Sequence, residues 1–378
     1  MNSIINENKQ WIDETWEKID EKLKKVVARN KYIIAGAVDE NGRYKDCSTE
    51  RGIGNWTNGY WPGIMWLMYD GTGDETYREV AEYGEKALDM AQAKYDILHH
   101  DVGFMWLLSS VANHTITGNA ESRNRALHAA CILAARYNAN GQYIGAWQGP
   151  RTSNWVIIDC MMNIPLLYWA HEQTGNISFK SIAMRHADTC IRDHVRDDGS
   201  VNHIIEYDGN TGEVLGKPQT QGYDVDSSWT RGQGWAIYGY AMSYMRTGEK
   251  RYLDTAKKVA HYFMTSVIDD GFIPKADFMQ PDDQIDTSAG AVTACGLLEI
   301  AKCVPERESK LYLQAAINLM KALTEKQCDW TDDTDAILQN CSGCWGKGVH
   351  IPAMYGEYYY VEAMYKLKGF ERILSAGL

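Results

Sequence analysis

The chain has 378 residues and a formal net charge of −12, and 45% of its residues are hydrophobic. This length can bury a large core, and the acidic balance argues against a nucleic-acid partner. No apolar run approaches the ~20 residues of a membrane span, and the N-terminus lacks the apolar core of a signal peptide. The nine cysteines are scattered through apolar contexts, which predicts reduced thiols in a cytoplasmic protein.

A short Thr-Gly-polar sequence recurs along the chain, beginning at Thr72, Thr117, Thr174 and Thr247. Each copy follows an apolar, aromatic-rich segment and precedes an amphipathic, charged one. Glycine suits the left-handed position that ends a helix, and the polar residue after it can cap the next helix. The repeat therefore predicts helical hairpins with short turns.

The periodicity is helical almost throughout, without sustained strand-like alternation. Six amphipathic helices are predicted near residues 8–30, 74–94, 120–138, 178–195, 250–265 and 309–327. Six apolar helices are predicted near residues 60–70, 103–116, 158–173, 233–246, 288–302 and 355–368. Because one-sided helices belong outside and apolar helices inside, we expect an all-α (α/α)6 barrel of six inner and six outer helices. We expect one domain over residues 1–378; an open solenoid of hairpins is the alternative fold.

The connections from outer to inner helices are predicted to be long. They lie near residues 31–59, 95–102, 139–157, 196–232, 266–287 and 328–354. All should emerge where the inner helices begin, and long connections in compact domains are commonly functional. Helix N-termini also favour an anionic ligand, so we expect the functional site at this mouth.

The stretch Trp155–Asn163 carries one carboxylate, Asp159, in an otherwise apolar run. A helix is predicted from about Asp159 to Gln173. Burial of a carboxyl group favours its protonated form, and a group that holds or releases a proton near neutrality suits general acid/base catalysis. The alternative is an aspartate at a helix N-terminus, stabilised by the helix dipole and the free amides.

Asp101 and His100 lie at the predicted start of the second inner helix. His99, His100 and Asp101 are residue types that bind metals, but three consecutive residues would not converge on one ion in a helix. A single Cys-x-x-Cys, from Cys341 to Cys344, also lacks a second pair at zinc-site spacing. We therefore expect neither a metal nor another cofactor.

The remaining candidates are side chains that stack on sugar rings or bind polar and charged groups. They lie in the predicted loops or just after them: Trp56, Tyr60, Trp147, His203, Gln221, Arg231, Trp235, Ser342 and Lys347. Arg231 can bind a substrate carboxylate, or it can be a structural clamp to Asp224 or Asp226. Asp286 is predicted to cap the fifth inner helix rather than to act in catalysis.

Two acids on adjacent inner helices, surrounded by Trp, His, Gln and Arg, are typical of a sugar-processing site. Most glycosidases use two carboxylates, so an inverting glycosidase with Asp101 and Asp159 as its acid and base is one hypothesis. A carbohydrate-binding module without catalytic activity is another.

Five motifs together resemble the unsaturated glucuronyl hydrolases over nearly the full chain. They are Asn55-Trp-Thr-Asn-Gly-Tyr-Trp61, His99-His-Asp-Val-Gly-Phe104, Ile157-Ile-Asp-Cys160, Ser228-Trp-Thr-Arg-Gly-Gln233 and Thr293-Ala-Cys-Gly-Leu-Leu-Glu-Ile300. The resemblance implies a bacterial enzyme acting after polysaccharide lyases, which leave a 4,5-unsaturated uronic acid at the non-reducing end. The family hydrates that double bond and so releases the sugar, with glycosaminoglycan-type disaccharides as substrates. The related unsaturated rhamnogalacturonyl activity on pectin fragments is the nearest alternative.

The resemblance also implies roles for the candidates. Asp159 would be the general acid/base, and Asp101 would orient the substrate and tune the proton of Asp159. The uronate would be surrounded by His100, His203, Gln221 and Arg231, and the walls would be formed by Trp56, Trp147 and Trp235. Ser342 and Lys347 lie in the sixth loop, which matches the family pattern least, and we expect them to contact the neighbouring sugar. A sulfate on that sugar would suit Lys347.

Overall fold

The computed structural model describes residues 2–373, and these are mostly helical. The six outer helices are Lys9–Asn30, Glu75–Ala87, Ala120–Ala134, Ile177–Asp193, Lys250–Val267 and Glu306–Lys326. Four inner helices are continuous: the first, Tyr60–Thr72; the fourth, Thr230–Thr247; the fifth, Thr287–Cys303; and the sixth, Met354–Leu367. The predicted alternation of helices is confirmed.

The second and third inner helices are irregular. The second consists of Val102–Trp106, a π-helical segment Leu107–Val111, and Ala112–Thr117. The third begins with a 3-10 segment, Ile158–Met162, and continues as Pro165–Thr174. Proline is tolerated in the first turn of an α-helix because its missing N–H would have no partner there.

The predicted glycine turns are also confirmed. Gly73, Gly118, Gly175 and Gly248 each end an inner helix with a left-handed φ of 70° to 74°. The next residue then caps the following outer helix in three cases, through the side chains of Asp74, Asn119 and Asn176. Glu249, at the fourth turn, makes no such hydrogen bond.

Burial separates the two sets of helices as their sequences predict. The fifth inner helix is buried over Thr287–Ala301, whereas Lys250–Val267 buries one stripe at intervals of three and four residues. Each inner helix contacts the next one in chain order, and the sixth contacts the first. One cluster of buried apolar side chains includes members of all twelve helices.

Short antiparallel strands in the loops were not predicted. They are β1 (Ala35–Val38), β2 (Tyr44–Asp46), β3 (Tyr137–Asn138), β4 (Tyr143–Ile144), β5 (Trp155–Ile157), β6 (Ile204–Tyr207) and β7 (Val214–Gly216). β1 pairs with β2, β3 with β4, and β6 lies between β5 and β7. Strands of two to four residues are too short to show the alternation that identifies a strand in a sequence.

Additional short helices are Asn2–Glu7, Cys47–Glu50 and Asp89–Gln92, with 3-10 turns at Trp56–Gly59, Tyr95–Ile97 and Thr152–Asn154. No disulfide joins any of the nine cysteines, all of which lie within the described residues. Within residues 2–373, no helix is both long and apolar enough to cross a membrane.

Candidate active site

Two aspartates lie where adjacent inner helices begin. Asp101 directly precedes the second inner helix, and Asp159 lies in the first turn of the third. Asn163 joins them, because its Nδ2 donates to Oδ1 of Asp101 at 3.1 Å and to the backbone oxygen of Asp159 at 3.2 Å. The Oδ1 of the fully buried Asn163 accepts from the backbone N–H of Phe104 at 2.9 Å. Asn163 therefore fixes the spacing of the two chain segments that carry the carboxylates.

The electrostatics of the site favour a proton on Asp101. Burial raises the pKa of Asp101 well above its usual range, and the negative charge of Asp159 raises this pKa further. The hydrogen bond from Asn163 opposes both effects. Two carboxylates that act on each other in a buried site rarely ionise independently. The pair of carboxyl groups can therefore hold a proton near neutral pH.

Two imidazoles lie against Asp101. Nδ1 of His99 is 3.4 Å from Oδ2 of Asp101, and Nε2 of His100 is 3.5 Å from its Oδ1. Burial lowers the pKa of His99 to about 4 and that of His100 well below its usual value, so both rings are neutral at neutral pH.

The chain is not helical at these three residues, because the helix begins only at Val102. The helical geometry that would keep their side chains apart therefore does not apply. One ligand atom from each of His99, His100 and Asp101 lies within 4.8 Å of the others.

A small sheet brings His203 to Asp159. Strand β5 ends two residues before Asp159, and its last residue, Ile157, pairs with Ile204 of β6. The backbone N–H of Ile158 donates to the carbonyl of His203 at 3.1 Å, which continues the pairing. Nε2 of His203 consequently lies 3.6 Å from Oδ1 of Asp159. This pairing connects the third and fourth loops, a contact that the sequence pattern does not predict.

Arg231 is buried and holds three loops together. Its guanidinium pairs with Asp286 and donates to the backbone oxygens of Ser342 at 2.6 Å and Gly343 at 2.8 Å. Neither of the clamp partners expected from the sequence, Asp224 or Asp226, makes this ion pair. Asp286 does cap the fifth inner helix, as predicted, because its side chain also accepts from the backbone N–H of Ser288.

A cavity of about 300 Å³ opens between the first, fourth and sixth loops. Its lining includes four predicted residues, Trp56, Gln221, Arg231 and Lys347. It also includes Arg51 and Tyr355, which sequence analysis did not single out. The ring of Tyr355 stacks on Trp56 with centroids 5.3 Å apart, and the guanidinium of Arg231 lies 4.7 Å from its centroid. The only sequence signal for Tyr355 was its place at the start of the sixth inner helix.

Several predicted site residues offer little or no surface to a ligand. Tyr60 and Trp235 are fully buried, and His100 and Ser342 are 1% exposed. Trp235 packs on Phe104 and Tyr359, so it lies behind the pocket surface and is not a stacking face in this structure. Ser342 donates its hydroxyl proton to the carbonyl of Ile285 at 2.7 Å, an interaction that supports the loop.

Other predicted residues do reach the surface. Trp56, Trp147 and Gln221 are partly exposed, and Lys347 is exposed. Trp147 lies edge-on to His100, with ring centroids 6.3 Å apart, so it is on the Asp101 side of the mouth. Gln221 donates to the carbonyl of Gly343 at 3.2 Å.

Comparison of the sequence with known proteins gives consistent matches. Residues 39–375 match Glycosyl Hydrolase Family 88. The chain is 37% identical over 330 residues to the unsaturated glucuronyl hydrolase of Bacillus sp. strain GL1, covering 83% of this chain and 86% of that protein. It is 32% identical over 321 residues to an unsaturated chondroitin disaccharide hydrolase of Streptococcus pneumoniae, covering 82% and 81%.

Solved structures agree with this result. The crystal structure of the Bacillus sp. GL1 enzyme matches with a TM-score of 0.87 at 33% identity, covering 93% of this chain and 97% of that one. An aspartate-to-asparagine mutant of a Streptococcus agalactiae unsaturated glucuronyl hydrolase, complexed with dGlcA-GalNAc6S, matches with a TM-score of 0.79 at 28% identity. That match covers 94% of this chain and 90% of the other.

Proposed function

Because this chain belongs to glycosyl hydrolase family 88 and is an unsaturated glucuronyl hydrolase, we propose that it releases 4,5-unsaturated glucuronic acid from glycosaminoglycan-type disaccharides. The reaction is hydration of the C4=C5 double bond. The observation that carries the assignment is the pair Asp101 and Asp159, joined by Asn163 at the mouth. The ring of contacts among the inner helices supports an (α/α)6 barrel, which we propose as one catalytic domain over residues 1–378.

In the proposed mechanism, Asp159 acts first as an acid and then as a base. Asp159 delivers the proton held by the Asp101–Asp159 pair to C4, and the electrons of the double bond form the new C4–H bond. Water then adds at C5 and gives up a proton to the Asp159 carboxylate, which restores the starting state. The product is a hemiketal at C5. When it opens, the ring is lost and the glycosidic bond breaks, without displacement at the anomeric carbon.

Asp101 and His203 hold Asp159 ready for this cycle. His203 lies 3.6 Å from the Asp159 carboxylate, and its other nitrogen, Nδ1, is 2.7 Å from Oγ1 of Thr220. That hydrogen bond fixes the orientation of the imidazole, as partners of active-site histidines commonly do. Asp101 interacts electrostatically with Asp159, so it can influence when the proton leaves.

The cavity between the first, fourth and sixth loops supports the proposed substrate class. Arg231, Lys347 and Arg51 line it, and cations there suit an anionic substrate in a chain of net charge −12. Relatives include chondroitin disaccharide hydrolases, and one solved relative holds dGlcA-GalNAc6S. Another solved relative holds dGlcA-Glc-Rha-Glc, so the sugar beside the uronate differs among relatives.

Replacing Asp159 by asparagine tests the assignment. The Asp159→Asn variant should lose nearly all turnover and change substrate affinity only modestly, because an amide keeps the shape but cannot carry the proton. Asp226→Asn, an exposed aspartate of the fourth loop, is the control and should keep full activity. If Asp159→Asn kept more than about a tenth of turnover, a barrier change of only ~1.4 kcal/mol, Asp159 would not be the acid/base.

The substrate itself separates the alternatives. Hydration requires the double bond, so the enzyme should remove the ultraviolet absorbance of the unsaturated uronate while the partner sugar appears. In D2O, one deuterium should enter at C4 of the released uronic acid. Cleavage of a saturated glucuronide at a comparable rate, without any C4 deuterium, would instead support an inverting glycosidase.

A further inference from the structure

A cluster of nitrogen and oxygen donors lies at the mouth beside the proposed acid/base pair. Nδ1 of His99 is 3.4 Å from Oδ2 of Asp101, and Nε2 of His100 is 3.5 Å from Oδ1 of the same carboxylate. One donor from each of the three residues lies within 4.8 Å of the others. Of these three residues, Asp101 has a role in the proposed reaction, and the family resemblance implies that His100 contacts the uronate. Neither explains the position of His99.

The spacing of these donors is close to that of a zinc site. Zinc binds imidazole nitrogen at about 2.0–2.1 Å in tetrahedral geometry, which places neighbouring ligand atoms about 3.4 Å apart. The two imidazole nitrogens contact different oxygens of the Asp101 carboxylate, at 3.4 Å and 3.5 Å. With one donor atom of each residue within 4.8 Å of the others, small side-chain movements would bring the three donors to zinc-site spacing.

The two rings also have lone pairs available. Nδ1 of His99 receives only a long contact, 3.4 Å, from the backbone N–H of Asp101. Nε2 of the buried His100 faces Asp101, and its Nδ1 has no hydrogen-bond partner among the described residues, so no other group fixes which ring nitrogen carries the proton.

We propose that His99, His100 and Asp101 form an inhibitory site for zinc or a similar divalent transition metal. The side chains of His99 and Asp101 are 24% and 12% exposed, so an ion has access from the mouth, and a fourth position can take water. Bound metal occupies the Asp101 carboxylate and excludes substrate. The positive charge of Arg136 acts on both imidazoles and opposes the ion, whereas Asp159 attracts it.

Zinc binding can be measured without substrate, and so independently of the proposed reaction. Chelator-treated enzyme titrated calorimetrically with zinc chloride should bind one equivalent that depends on His99 and Asp101. His99→Ala should weaken this binding by at least about tenfold, the lower end of what even an outer-shell partner contributes to a metal site. Asp101→Asn should weaken zinc binding as well. This second variant keeps the test informative if the His99→Ala protein fails to fold.

An exposed pair elsewhere provides the control. His128 and Cys131 are exposed and lie three residues apart on one outer helix, a spacing that can also bind zinc. Cys131→Ser removes this pair and should leave zinc binding at the proposed site unchanged.

In activity assays, zinc should inhibit wild type competitively, and excess chelator should restore the rate. His99→Ala should resist zinc when its rate with zinc is compared with its own rate without zinc. Absence of binding, or binding that both His99→Ala and Asp101→Asn leave unchanged, would overturn the proposal.

Discussion

Replacing Asn163 by leucine tests whether the spacing of the two carboxylates limits turnover. Leucine has nearly the same shape, but it cannot donate to Asp101 and the carbonyl of Asp159, or accept from Phe104. Leaving the buried partners of Asn163 without a hydrogen bond costs about 1–3 kcal/mol. If that energy maintains the geometry in the transition state, kcat should fall about 10- to 100-fold, since each ~1.4 kcal/mol is tenfold in rate.

The side chain of Asn163 is fully buried and does not line the cavity beside Arg231. It should therefore contribute little to ground-state binding of the substrate, and KM should change less than about threefold. Turnover can be followed by the loss of uronate absorbance, with the rate divided by the fraction of folded protein from circular dichroism. A fall in kcat at nearly constant KM identifies a positioning residue.

Asn113 supplies a matched control. It is 1% exposed, lies on the second inner helix, and donates to the carboxylate of Glu85 at 2.6 Å. Asn113→Leu should cost similar unfolding free energy, about 1–3 kcal/mol for the buried acceptor left unpaired, yet keep kcat within twofold. If the two variants lose equal activity per folded molecule, or if Asn163→Leu turns over like wild type, the positioning argument is refuted.

Two further predictions follow from buried and exposed charges. Glu357 is 3% exposed, and burial raises its pKa from 4.5 to about 7. The folded state therefore binds the Glu357 proton more tightly than the unfolded state does. The stabilisation from this tighter proton binding is complete below pH 4.5 and is lost as the pH rises through 7. Relative to Glu357→Gln, wild type should lose about 3 kcal/mol of unfolding free energy over that window, and parallel denaturant curves for the two proteins would refute it. Lys347→Ala should lower kcat/KM about tenfold more for a sulfated unsaturated disaccharide than for an unsulfated one, a typical value for one charge-assisted contact. Equal losses on both substrates, or none, would mean that Lys347 is only a solvated loop charge.

The helical hairpins could be predicted because their signals are local. An apolar or one-sided period of 3.6 residues, a glycine and a capping residue all lie within one turn of each helix end, as at Gly118 and Asn119. The positions of Asp101 and Asp159 followed from the same reasoning, since each comes immediately before or within the first turn of an apolar segment.

What could not be predicted depends on contacts between distant segments. Arg231 pairs with Asp286, which lies 55 residues away, and no periodicity indicates which of several loop aspartates it meets. Asn163 had no signal either, because an asparagine in an apolar run does not show what its amide contacts. The family resemblance implies a place for Trp235 in the pocket wall. It lies beyond the first turn of Thr230–Thr247, which directs it into the core.

Under the proposed function, these contacts divide the site into a part that carries out the reaction and a part that selects the neighbouring sugar. The carboxylates are fixed by inner-helix starts and by Asn163, whereas Lys347 lies on a loop that Arg231 holds through the carbonyls of Ser342 and Gly343. Backbone carbonyls accept these bonds whatever the neighbouring side chains are, so the loop keeps its place when an exposed side chain such as Lys347 changes. Preference for the neighbouring sugar can therefore vary at Lys347 without disturbing the acids. A change at Arg231 would instead leave Asp286 buried and unpaired, which typically costs 3–5 kcal/mol, and would affect every substrate alike.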